Sequence, residues 1–144
     1  MSEFKFTEEQ EQWLQDLESG KFKQAPRALC RIAPDGSRSY CCLGVAMERF
    51  HDGERDPLDD GADNPVIYRG DDGEEWTGIL SEQVMDLLHF RGTAGELAEG
   101  KSLRVTARDL HVSVLTAAND CGASFADIAA FIRENPEAVF TQGA

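Results

Sequence analysis

Residues 39–50 read Ser-Tyr-Cys-Cys-Leu-Gly-Val-Ala-Met-Glu-Arg-Phe, in one-letter form SYCCLGVAMERF. Two adjacent cysteines open an apolar run in which Leu43, Ala46, Met47 and Phe50 fall at helical spacing, with Gly44 inside it. Upstream, Leu29 and Ile32 form one short apolar run and Tyr40 and Cys41 another, separated by Pro34-Asp35-Gly36. Proline followed by Asp-Gly between apolar runs signals a hairpin, because glycine accepts the positive φ that the turn requires. The stretch therefore predicts a hairpin whose second strand passes directly into a central helix.

Outward from that junction the pattern is mostly helical. Thr7 and Gln10 form a capping-box pair ahead of Trp13, Leu14 and Leu17, and Gly20 ends this first helix. Ser81 caps a helix with Val84, Leu87 and Leu88 inward, which Gly92 ends. Residues 106–122, TARDLHVSVLTAANDCG, read as a helix with Leu110, Val114, Leu115 and Ala118 inward. Ser124 caps a last helix with Phe125, Ile128, Ala129 and Ile132 buried and Asp127 at its third position; Pro136 closes it. Residues 51–73 show no periodicity. Pro57, Gly61, Pro65, Gly70 and Gly73 punctuate them, and only Val66-Ile67-Tyr68 suggests a strand. The expected fold class is α+β: a single domain over 1–144, with about five helices, one β-hairpin and a mobile acidic loop near 51–75.

Charge restricts the partners. The chain carries 14 basic and 27 acidic residues, a net charge of −13. Such a protein is repelled by nucleic acid and by anionic membranes and is steered toward basic surfaces. Residues 21–40 run against this trend: Lys21, Lys23, Arg27, Arg31 and Arg38 against Asp35 alone. Residues 51–75 carry ten acids against Arg55 and Arg69, a local net of −8. The plain reading of both is a solvated surface; the sharper one is a pair of opposite patches, one of which meets a partner. No apolar run approaches the roughly 18 residues of a membrane span. The start, MSEFKFTEEQ, lacks a basic region followed by an apolar block, so no secretory leader is expected and the four cysteines are expected as thiols in a reducing cytoplasm.

If Cys42 lies in a first helical turn, the helix dipole would favour its thiolate, and His51, His89 or His111 as base with Asn119 as orienter would make a cysteine-dependent hydrolase. Against this, free cysteine is among the most buried residue types, and a packing role for Cys41 and Cys42 is favoured. Cys30, Cys41, Cys42 and Cys121 offer no zinc-type pairing, and no metal is expected. The acidic stretch from Asp56 fails as a calcium loop, with Leu58 at the third position and Ile67 at the twelfth. Residues 92–102 end in Gly-Lys-Ser without the first glycine of a phosphate loop. No cofactor is expected. The basic stretch remains: Lys21, Lys23, Gln24 and Arg27, joined by Asn119 and Asp120, form a candidate pocket for an anionic ligand such as a signalling nucleotide. Its plain alternative is an edge strand guarded by cations.

Four elements taken in order, SGKFKQ, YCCLGVAMERF, WTGIL and LTAANDCGASFADIAAFI, resemble those of an uncharacterised family of small proteins from phages and bacterial genomes. Its members show Lys-x-Lys-Gln, Cys-Cys-Leu-Gly-Val, Trp-x-Gly-Leu and Asn-Asp-x-Gly-Ala-Ser-Phe elements, and the resemblance spans Trp13 to Ile132. The chain departs from that pattern at Ala46-Met47, where a second Leu-Cys is common, which implies that the later thiol serves packing. The resemblance implies a mobile-element context and no catalytic residues. The leading functional expectation is a non-enzymatic cytoplasmic protein that blocks a host protein, such as a defence protein, through an acidic, nucleic-acid-mimicking surface. Its residues would be Asp56, Asp59, Asp60, Asp63, Asp71, Asp72, Glu74 and Glu75.

Overall fold

The computed structural model describes residues 4–25, 28–51, 55–57, 64–70, 74–106 and 108–141, with 55–57, 64 and 65 described by backbone alone. Helix α1 (Glu8–Glu18) starts on the expected capping box: Gln10 N donates to Thr7 Oγ1 at 3.1 Å and Thr7 N donates to Gln10 Oε1 at 3.0 Å. Trp13, Leu14 and Leu17 turn inward and are buried. Past the helix end, Gly20 takes a left-handed φ of 77°.

Strands β1 (Lys23–Gln24), β2 (Cys30–Ile32) and β3 (Arg38–Tyr40) follow. β2 and β3 are the expected hairpin. Asp35 Oδ1 accepts hydrogen bonds from the backbone N–H and the hydroxyl of Ser37, and Gly36 supplies a φ of 87°. One residue after β3, α2 (Cys42–Phe50) begins. The six residues from Cys42 to Met47 are all buried, so this helix is apolar all round rather than on one face. It packs against α1 and, further on, against α3 (Glu82–Leu88) and α4 (Leu115–Asp120).

The segment expected as a loop holds three strands: β4 (Arg55–Pro57), β5 (Asn64–Arg69) and β6 (Glu75–Trp76). The sheet order is β1-β3-β2-β5-β4, with β6 also paired to β5. β5 is thus an inner strand. Val66, Ile67 and Tyr68 are all buried, so the strand has no polar-apolar alternation to betray its length.

Two further expectations are corrected. Residues 103–112 form a second, separate hairpin of β7 (Leu103–Val105) and β8 (Leu110–Val112), and the helix after it is confined to α4. Leu110, Val112 and Val114 recur with period two as readily as Leu110 and Val114 fit a helix. Burial of Leu103 and Val105 opposite them decides for the strand. At α3, Leu87 is 39% exposed rather than inward, and the helix ends at His89, with a left-handed φ of 61°, before Gly92. The reversal there sends Phe90 into the core, where its ring meets those of Trp13 and Phe140. α5 (Phe125–Glu134) starts on the Ser124–Asp127 box and buries Phe125, Ile128, Ala129 and Ile132 as expected; α6 (Pro136–Val139) follows. The α+β class holds, with more strand than one hairpin. Among the described residues no helix is long and apolar enough to cross a membrane.

Candidate functional site

The cysteine pair is enclosed. Cys41 is the N-cap of α2, 3% exposed, and its Sγ accepts the backbone N–H of Gly44 at 3.3 Å. Cys42 is fully buried, with its thiol 3.6 Å from Leu115 O. Its main chain is held on both sides: Trp13 Nε1 donates to Cys42 O at 2.9 Å, and Cys42 N donates to Asn119 Oδ1 at 3.2 Å. Loss of hydration pushes the Cys41 thiol up to about 11, against the smaller opposing effect of the Gly44 hydrogen bond. Burial likewise drives Cys42 well above the ordinary thiol value, aided by its neighbour Cys41 and by the Asp120 charge. Dehydration overrides the helix dipole that the first-turn position suggests.

The histidines do not complete a triad. His51 Nε2 lies 2.9 Å from Arg69 O, with its ring edge-on to Tyr68 and Trp76 at 5.5 and 6.0 Å. His89 is exposed at the end of α3, and His111 Nδ1 lies 3.4 Å from Ser102 Oγ. Among the described residues no group of three or more His, Cys, Asp or Glu side chains is placed to hold a metal ion.

The proposed anion pocket is divided. Asn119, 4% exposed, donates from Nδ2 to Ala25 O at 2.9 Å and accepts at Oδ1 from Gln24 Nε2 at 2.7 Å as well as from Cys42 N. Gln24 Nε2 also donates to Ala123 O at 2.7 Å. Gln24, Asn119 and Asp120 thus come together, lining a cavity of about 330 Å³ with Ala25, Gly122 and Ala123. Lys23 does not join them. Adjacent strand residues point to opposite faces, so Lys23 shares a face with Ser39 and Arg31, its partners across β3 and β2. Lys21 is exposed before β1, and Arg27 lies outside the described residues.

The acidic set is described in part. Glu74 and Glu75 are exposed, and Glu75 pairs with Arg69. Asp56 lies in β4, whose backbone alone is described; Asp59, Asp60, Asp63, Asp71 and Asp72 lie outside the described residues. What the segment is built on is clear. β5 and β6 are clamped to the end of α2 by His51, and Gly70 N donates to Glu74 O at 2.8 Å across the connection between them. Sequence reasoning missed Ile79 and Leu87 here, 44% and 39% exposed among the described residues. Leu87 lies on α3 with Glu82 and Asp86, and Ile79 lies three residues before that helix; both acids are exposed.

No protein-family model, no curated protein and no solved structure matches the chain.

Proposed function

We propose that the chain is a non-enzymatic binding protein that covers a basic surface on a partner protein through its acidic segment, residues 51–75. The observation that carries this reading is the pairing of the described strands of that segment, β4, β5 and β6, into the sheet. Its central strand, β5, pairs with β2, β4 and β6, and Tyr68 and Trp76 are wedged against His51. The stretch holding ten of the 27 acids thus springs from the folded core rather than from a tail. Charge carried on a segment anchored at β4, β5 and β6 steers a basic partner and fixes its register.

Ile79 and Leu87 support the same reading. An interface needs desolvated apolar contacts inside a polar rim, and these two side chains are exposed in the stretch 79–87 that follows the acidic segment in sequence and also holds the exposed Glu82 and Asp86. The burial and raised pKa of Cys41 and Cys42 weigh against a thiolate nucleophile. In the host-blocking form suggested by the resemblance, the acidic segment stands in for the phosphates of nucleic acid on a host protein.

The test compares the wild-type chain with a variant carrying D59N, D60N, D71N and D72N. Partners retained at low salt are identified by mass spectrometry, and their affinity is measured with purified protein. The expected result is a defined basic partner whose binding weakens steeply with salt and is lost in the variant. Equal binding by the variant overturns the proposal.

A further inference from the structure

We propose that Asp35 is a latent isoaspartate site, kept inert in the folded chain by hydrogen bonds to Ser37 and Ala33 and opened by unfolding. It lies at the tip of the β2–β3 hairpin, where the chain reads Pro34-Asp35-Gly36-Ser37. An aspartate followed by glycine can modify itself, because glycine has no side chain to obstruct attack by its own backbone nitrogen. In that step Gly36 N bonds to Asp35 Cγ, and the carboxyl hydroxyl leaves as water with the Gly36 N–H proton. Water then reopens the succinimide ring at either carbonyl. Opening at the former main-chain carbonyl yields isoaspartate, with the chain routed through Cβ and Cγ. Nothing is oxidised, and the water lost is regained.

The attack needs a protonated carboxyl turned toward Gly36 N and a nitrogen free to give up its proton. The turn denies both. Gly36 N donates to Ala33 O at 2.8 Å, so its proton is committed. Asp35 Oδ1 accepts the backbone N–H of Ser37 at 2.9 Å and the Ser37 hydroxyl at 2.7 Å, which holds the carboxyl to the residue beyond Gly36. Those two bonds, the hydroxyl first, keep the carboxyl below its ordinary value of 3.8, so it stays ionised and lacks the leaving hydroxyl. Ala33 N donates to Ser37 O at 2.8 Å and closes the loop. Burial plays no part, since residues 34–38 are all exposed. The lesion has a structural consequence. Isoaspartate lengthens the main chain between the paired residues Ile32 and Arg38, and α2 begins soon after β3. A chain that isomerises while unfolded therefore refolds with a mismatched turn ahead of its central helix.

The experiment ages the full chain at neutral pH, folded and in parallel unfolded in urea. Isoaspartate at residue 35 is followed by peptide mapping with mass spectrometry and by enzymatic isoaspartyl methylation. Mapping separates Asp35 from Asp52, Asp60 and Asp72, which glycine also follows and which lie outside the described residues. Isoaspartate should accumulate at Asp35 in urea and at least about fivefold more slowly in the folded chain, the factor that one hydrogen bond supplies. Ser37→Ala removes the hydroxyl bond and keeps the backbone one, and should speed the folded-state reaction about fivefold while leaving the unfolded rate unchanged. Thermal unfolding checks that the variant is folded. Three results overturn the proposal: no isoaspartate at Asp35 in urea, equal rates in the folded and unfolded wild type, or a folded Ser37→Ala that isomerises no faster than the wild type. If that variant fails to fold, the comparison of folded and unfolded wild type decides.

Discussion

Gly44 rests directly on the carbonyl of Leu29: a Cβ built at Gly44 would overlap Leu29 O and crowd Leu29 C and Cα. The same carbonyl accepts the N–H of Cys41 at 3.2 Å. The first turn of α2 therefore sits on the backbone just ahead of β2, and glycine is required there for closeness, not for an unusual φ. Gly44→Ala should lower stability by about 3 kcal/mol or more, because the obstacle is main chain and cannot rotate away. Chemical denaturation measures it; a loss below about 1 kcal/mol would contradict the geometry.

Thiol labelling separates filler from reagent. Cys30, Cys41 and Cys42 are buried and Cys121 is half-buried. In the native state one thiol, Cys121, should react readily with a disulfide reagent at neutral pH, the other three only on unfolding. Cys41→Ser should fold normally and stay within about 1 kcal/mol of the wild type, since a serine hydroxyl caps a helix at least as well as a thiol. Rapid alkylation of Cys41 or Cys42 in the native protein would restore the catalytic reading.

Alkali should destabilise the fold through the same groups. The Cys41 thiol is raised from the ordinary 9.0 to about 11 in the folded state, so folding favours the protonated form. Its contribution is complete below pH 9 and is lost as the pH rises from there through 11, amounting to about 2 to 3 kcal/mol when fully lost. Cys30, likewise raised to about 11 by burial, adds in the same direction. Thermal unfolding followed between pH 8 and pH 11 should show the decline, and Cys41→Ser should flatten it.

Acid acts elsewhere. Arg133 binds Glu11 and Glu18 at 2.6 and 2.7 Å and so ties α5 to α1. The Arg133 hydrogen bond holds Glu11 below the ordinary carboxylate value of 4.5, so its contribution is present above that value and fades as the pH falls beneath it. The groups are partly exposed, and Arg133→Gln should cost only about 1 kcal/mol at neutral pH while making the acid limb shallower.

Asn119 joins elements that nothing local connects, reaching Ala25, Gln24 and Cys42 from α4. Asn119→Leu keeps the bulk and strands those partners, and should cost about 3 kcal/mol. Asn119→Asp keeps the acceptor, loses the donor to Ala25 O and sets a charge beside Asp120, and should cost a similar amount. Denaturation midpoints at neutral pH check both.

The elements legible in the sequence are those whose deciding contacts lie within a few residues. Thr7 with Gln10, Ser81 with Val84, Ser124 with Asp127, and the Asp35–Gly36 turn each close their hydrogen bonds over three residues or fewer. The helices they start and the hairpin they fold could therefore be read directly, as could the burial of the cysteine pair. Tertiary structure decided the rest. β5 is a strand because β2, β4 and β6 supply its partners, and residues 103–112 pair with each other because one face of that hairpin is buried. The candidate site divides in the same way. Which residue types were available was plain from the chain, but Lys23 parts from Gln24 through the alternation of a strand only two residues long. Gln24 meets Asn119 across 95 residues of sequence. Local hydrogen bonding is written in neighbouring residues, whereas faces and long-range contacts exist only once the core has closed around α2.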